Sequence, residues 1–251
     1  MRFRLKALGL HLLASAVVLT LILGSLYLGW YHWPGWYLAD VTRVVMVMMG
    51  VDVVVGPLLT FVIANKNKPR KELTRDIGMI VAVQLIALIY GSTSLWNGRP
   101  LYYAFSVNVL SVVQAYDISD EQAQAGRAQN GALAPHWYSL PRWIWAPLPD
   151  NAQESDKIVR SAITGGDDVV SMPKYFKPWD QGLPALRGQL TKLDDSKFFG
   201  KAEKVTLKDR MAAAGLKTDQ ADTLPFTGRG KPLLAVYDRE TLKIIGIFKS
   251  T

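Results

Sequence analysis

Residues 41–64 read VTRVVMVMMGVDVVVGPLLTFVIA, an apolar run with one acid, Asp52, near its middle. A bilayer takes about 20 such residues to cross. A carboxyl at that depth must find a partner or stay protonated, and it marks a functional site by default. Pro57 has no N–H to offer the Val53 carbonyl four residues back, so the backbone is interrupted where the side chain is polar. Asp52, Gly56 and Thr60 recur every four residues and share one helix face. Small residues on such a face let a second helix come close. Gly50, Asp52, Gly56, Pro57 and Thr60 are therefore the candidate partner-binding residues.

Two further runs of spanning length flank this one, Leu8 to Trp30 and Ile77 to Trp96, and nothing comparable follows Gly98. The expected fold is three transmembrane helices over residues 1–97, followed by a small α+β domain over 98–251 with a mostly antiparallel sheet and several helices. Ala14-Ser15-Ala16 has the small-x-small form of a cleavage site, but the apolar run continues well past it, so the first helix reads as an uncleaved anchor. Counted inward from the ends of the apolar runs, Asp52 lies at the depth of Thr20 and Tyr90, its candidate partners within the chain.

The net charge of +8 suggests nucleic acid at first sight, but its placement does not. Arg2, Arg4 and Lys6 precede the first run and Lys66, Lys68, Arg70, Lys71 and Arg75 crowd the second connection, whereas Tyr31 to Asp40 holds no Lys or Arg. By the positive-inside rule the N-terminus and second connection face the cytoplasm, and the first connection and the soluble part lie outside. Trp30, Tyr31, Trp33, Trp36 and Tyr37 form an aromatic belt at the outer interface. Acids nearly balance bases in the soluble part, so no phosphate-binding stripe and no nucleic-acid partner is expected. Without cysteine the chain has no disulfide, Cys-zinc or thiol chemistry, which suits a bacterial periplasm.

In the soluble part, Tyr102 to Val107 and Leu110 to Ala115 read as strands. Ser119 caps a helix to about Ala128, and helices are expected over Gln153 to Thr164, Leu183 to Leu193 and Thr206 to Ala214. Pro232 to Tyr237 and Leu242 to Phe248 flank the turn Asp238-Arg239-Glu240-Thr241 as a hairpin. Between Pro135 and Pro184, prolines alternate with Trp137, Trp143, Trp145 and Trp179. That stretch is either an aromatic groove for an extended peptide or glycan, or a loop-rich wall packed on the core, and the wall is favoured.

Catalytic patterns are scarce. His11, His32 and His136 lack metal-ligand spacing, and each reads as structural or incidental. The pairs Asp167-Asp168 and Asp194-Asp195 lack the alternation of a calcium loop, and Gly228-Arg229-Gly230-Lys231 reads as the turn entering the hairpin rather than a phosphate nest. Neither a metal nor a cofactor is expected, and the chain is not expected to be an enzyme.

Several stretches resemble the type IV pilin accessory proteins of the TfpX/TfpZ group, inner-membrane proteins of Gram-negative pilus systems. They are Arg4 to Leu13, Gly50 to Thr60, Leu85 to Gly91 with Asn97-Gly98-Arg99-Pro100, and Leu224-Pro225 through Asp238. The resemblance is strongest over the first hundred residues and weak between about Asp120 and Thr223. It implies an inner-membrane, chaperone-like accessory factor that binds a major or minor type IV pilin and supports pilus assembly or dynamics. Membrane lipid and assembly-platform proteins are its further partners. A pilin has one hydrophobic helix and a globular head, and the two-part chain offers a partner to each. The competing class is a membrane-bound enzyme of pilin modification at the periplasmic leaflet.

Overall fold

The structure, a computed structural model, describes residues 1–218 and 221–250. The chain divides into two compact units, one of residues 1–32 and 41–98, the other of 33–40 and 99–251. Sequence reading assigns the first connection to the membrane part. In the structure most of that connection packs within the soluble unit.

The first unit contains three helices long and apolar enough to cross a membrane: α1 (Arg2–Tyr31), α3 (Thr42–Ile63) and α4 (Arg70–Asn97). α1 packs along the second half of α3, α4 packs on α3 as well, and α1 and α4 barely meet. The ends are tied. Arg4 Nε donates to the Ala64 carbonyl at 2.8 Å, and Lys68 pairs with Asp76 in the second connection. At the opposite end Tyr31 Oη donates to the Leu95 carbonyl at 2.7 Å, and the Trp30 and Trp96 rings meet edge to face at 5.1 Å. Two belt aromatics thus hold helices together.

The second unit is built on a seven-stranded mixed sheet ordered β4-β3-β1-β2-β5-β6-β7, mostly antiparallel. Its strands are β1 (Pro100–Ser106), β2 (Val109–Gln114), β3 (Arg142–Trp145), β4 (Lys177–Pro178), β5 (Ala221–Thr227), β6 (Leu233–Asp238) and β7 (Ile244–Lys249). Among the described residues only the β1–β3 and β2–β5 pairings are parallel. Both faces are covered, so central strands are apolar throughout instead of alternating. Tyr103, Phe105, Phe226 and Tyr237 fill one face with Leu186 of α7 (Leu183–Gln189), while Leu234 and Val236 meet Leu207 and Met211 of α8 (Lys201–Ala213) on the other.

The first connection is part of this core. It carries the short α2 (Gly35–Leu38), and Leu38 is fully buried in the same cluster as Phe226. The Gly228-Arg229-Gly230 turn between β5 and β6 wraps it: Gly230 N donates to the Leu38 carbonyl at 3.0 Å. A Cβ at Gly228 or Gly230 would overlap the Leu38 or Tyr37 carbonyl, so close backbone approach explains both glycines.

The remaining elements are α5 (Asp120–Gln129), capped by Ser119 Oγ, and α6 (Ala152–Ile163). β3, β4 and β5 are strands that sequence reading leaves unassigned. The helix expected to reach Leu193 ends at Gln189, and the one expected from Thr206 begins at Lys201. Of the tryptophans between the prolines, Trp143, Trp145 and Trp179 pack against the core, as the wall reading expects, while Trp137 is 74% exposed.

Candidate functional site

Asp52 lies in a π-helical stretch of α3, Gly50–Val55. The wider turn changes which carbonyl Pro57 orphans. Gly56 N–H bonds Val51 O five residues back, so in that register the partner missing at Pro57 belongs to Asp52 and not, as the α-helical count gives, to Val53. A side chain from α4 fills the gap: Gln84 Nε2 donates to the Asp52 carbonyl at 3.2 Å.

Gln84 continues the chain of bonds. Its Oε1 lies 2.7 Å from His11 Nε2, and His11 Nδ1 lies 2.6 Å from Thr60 Oγ1. A carbonyl oxygen only accepts, which puts the imidazole proton on Nε2; in the neutral ring Nδ1 then accepts from the Thr60 hydroxyl. The donor sequence runs Thr60 to His11 to Gln84 to the Asp52 backbone, using all three spanning helices. Asp52, Thr60 and Gln84 are 4%, 2% and 7% exposed. Among the described residues, Asp52 Oδ2 is buried without a hydrogen-bond partner.

A cavity of about 180 Å³ opens on this cluster, lined by Asp52, by His11, Ser15 and Val18 of α1 and by Gln84 and Leu85 of α4. It is a groove between the two helices that barely meet.

The candidate residues fare differently. Asp52, Gly56 and Thr60 all face inward, as their spacing requires, and Pro57 is buried beside them. The helix that meets Gly56 belongs to the same chain, because a Cβ there would overlap the Gln84 amide. Gly50, by contrast, has nothing within 4 Å of an added Cβ. Thr20 and Tyr90 are not partners of Asp52: both are exposed, Tyr90 at 79%. His11, read as incidental, is the centre of the network, and Gln84, which sequence reading does not single out, is its hinge.

In the soluble unit the acid pairs have local partners. Asp167 accepts from Gln122 Nε2, Asp168 caps the turn at Val169, and Asp194 pairs with Lys208. Among the described residues no group of His, Cys, Asp and Glu could hold a metal ion.

No family model matches the chain, and no solved structure matches it. Curated relatives do. A fimbrial assembly protein of serogroup I from Dichelobacter nodosus is 28% identical over 243 residues, covering 94% of this chain and 91% of the relative, and one of serogroup E1 matches over the same shares. A fimbrial assembly protein of serogroups C1 and C2 from the same organism is 34% identical over 124 residues, 49% of this chain and 95% of the relative. On that identity across nearly the whole of a relative, in keeping with its resemblance to the pilin accessory group, this chain belongs to the fimbrial assembly protein family.

Proposed function

We propose that this protein is an inner-membrane accessory factor of type IV pilus assembly that holds pilin by binding, without catalysing a reaction on it. The observation that carries the reading is the match to fimbrial assembly proteins along 94% of the chain. The orientation, N-terminus in the cytoplasm and soluble unit in the periplasm, rests on the lysines and arginines before α1 and between α3 and α4. A second feature supports it: residues 33–40 fold into the soluble unit, so the first connection and the C-terminal part share a side, as three spans require.

Within the membrane the pilin's apolar helix docks in the groove between α1 and α4. The Gly56 face expected from the sequence is taken by Gln84, whereas the groove is open and has Asp52 in its lining. A buried acid oxygen without a partner attracts a hydrogen-bond donor strongly in lipid, where water is absent.

The test is photo-crosslinking in piliated cells from position 18, which lines the groove, and from position 28 on the exposed side of α1. Pilin identified by mass at 18 and missing at 28 is the expected result, with surface piliation reduced in Asp52→Leu. Pilin captured at neither position, with piliation unchanged in Asp52→Leu at normal protein abundance, would sink the docking model.

A further inference from the structure

One end of the sheet is defined by where the chain enters it. Arg99 follows Gly98, the residue that caps α4, so the chain re-enters the soluble unit two residues beyond the last residue of the spanning helix. Strand register carries that end across the sheet. Pro100 of β1 pairs with Gln114 at the end of β2, Tyr102 with Arg142 at the start of β3, and Leu233 at the start of β6 with Lys249 at the end of β7. The loop before β3, the segment after β2 and the β5–β6 turn all lie at this entry end, and the β6–β7 turn at Glu240 lies at the other. A strand of six residues separates them by about 20 Å.

The loop before β3 presents an unusual tip there. His136 N donates to Ser139 Oγ at 2.9 Å and Ser139 N to the His136 carbonyl at 3.1 Å, closing a turn with Trp137 and Tyr138 at its two outer positions. Trp137, Tyr138 and Leu140 are 74%, 60% and 56% exposed. The Trp137 and Tyr138 rings meet edge to face at 5.5 Å, so they expose one apolar surface together. Two arginines fix the loop: Arg99 Nη2 donates to the Trp137 carbonyl at 2.9 Å, and Arg142 Nη1 to the Ala132 carbonyl at 3.0 Å. The aromatic tip is thus held by Arg99, the residue that follows Gly98 in the chain.

A headgroup layer is about 5–8 Å thick on each side of the hydrocarbon core. Trp96, three residues before Arg99, packs on Trp30 and marks the aromatic belt of the spans themselves. The same end of the sheet exposes two more rings with cations against them. Arg229 lies 4.2 Å from the ring of Tyr116, and Lys249 Nζ lies 5.7 Å from that of Trp33. Amphipathic rings beside basic groups suit the boundary between acyl chains and lipid phosphates.

We infer that the Trp137–Leu140 turn is a lipid anchor, resting in the headgroup layer of the leaflet from which α4 emerges. It ties the soluble unit to the bilayer surface independently of whether the membrane groove receives pilin.

The chain has no cysteine, so single labels are clean. Tyr138→Cys, Leu140→Cys and Glu240→Cys, each carrying an environment-sensitive fluorophore, are measured in the full chain in nanodiscs of phosphatidylethanolamine and phosphatidylglycerol. Trp137 is kept in all three. Labels at 138 and 140 should emit to the blue of the label at 240, with iodide quenching several-fold weaker and headgroup-nitroxide quenching several-fold stronger. Trp emission of unlabelled Trp137→Phe should lose part of the nitroxide quenching that its unlabelled parent shows, a readout that needs no label. Labels at 138 and 140 that follow 240 in water, with Trp137→Phe quenched like its parent, would overturn the anchor; a tip that serves a protein partner instead gives that result in these partner-free discs.

Discussion

The two units place the same residue types on opposite sides of their surfaces. In the spanning unit Leu13, Leu21, Met46, Val62, Val83 and Ile86 point outward, while Asp52, Thr60 and Gln84 are buried. In the sheet unit Phe105, Phe226, Leu207 and Leu233 are buried. Lipid tails are as apolar as Leu, so burying Leu between helices in a bilayer gains little, and close packing with interhelical hydrogen bonds decides which helices meet. Water reverses this, and the sheet unit depends on removing apolar area from it. The energetics of the two units should therefore respond to different kinds of substitution.

The largest effect belongs in the sheet. Phe226→Ala empties a fully buried ring position touched by Tyr103 and Trp143, and large-to-small changes of this kind cost about 3–5 kcal/mol. Denaturant unfolding of the full chain in detergent, followed by tryptophan emission, should show that loss while the helical signal of the spans is kept. Equal loss of both signals would mean that the units do not unfold separately.

A smaller effect is expected in the spans, from polar atoms. His11→Ala leaves Thr60 Oγ1 and Gln84 Oε1 buried without their ring partner, a cost of about 1–3 kcal/mol. Gly56→Ala pushes the Gln84 amide off both of its bonds and should fall in the same range. Thr20→Ala and Tyr90→Ala, on exposed positions, should stay within about 0.5 kcal/mol. Unfolding of the spans by a denaturing detergent ranks the four. A costly Tyr90→Ala beside a silent His11→Ala would break the comparison.

The spans were legible because run length alone identifies them, and Asp52 because an acid in lipid needs a reason. The depth count misplaces its neighbours because the zero of the depth scale is wrong. Apolar runs begin at Leu8 and Ile77, but the helices begin at Arg2 and Arg70, since basic residues extend a helix into the interface before the apolar stretch starts. Asp52 lies twelve residues in from Ala64; the same count from Arg2 and Arg70 reaches Ala14 and Ala82, next to Ser15 and near Gln84, where the cavity is. His11 carried no recognisable spacing because its partners are on two other helices. In the sheet, the β6–β7 hairpin was readable from its turn, whereas β3 lies among prolines and β5 contains Pro225, which argues against a strand until β6 is seen to pair with it.

The smallest effects are pH slopes, and they distinguish the two ends of the sheet. Burial raises the Asp117 carboxyl above its ordinary value at the entry end, although the Gln114 N–H bonds it at 2.8 Å. At the other end the N–H and hydroxyl of Thr241 hold Asp238 below its ordinary value. The signs are opposite. Folded Asp117 keeps its proton to higher pH than it does in the unfolded chain, so the folded state binds more protons between the ordinary and the raised pKa, and stability falls as pH rises through that window. Asp238 contributes stability that is present above its ordinary pKa and is lost as pH falls through the lowered one. Asp117→Asn should flatten the first slope alone and Asp238→Asn the second alone, in unfolding midpoints of the full chain measured in detergent from acid to neutral pH. A single variant that removes both slopes would show that the two ends are coupled through the sheet and do not titrate on their own.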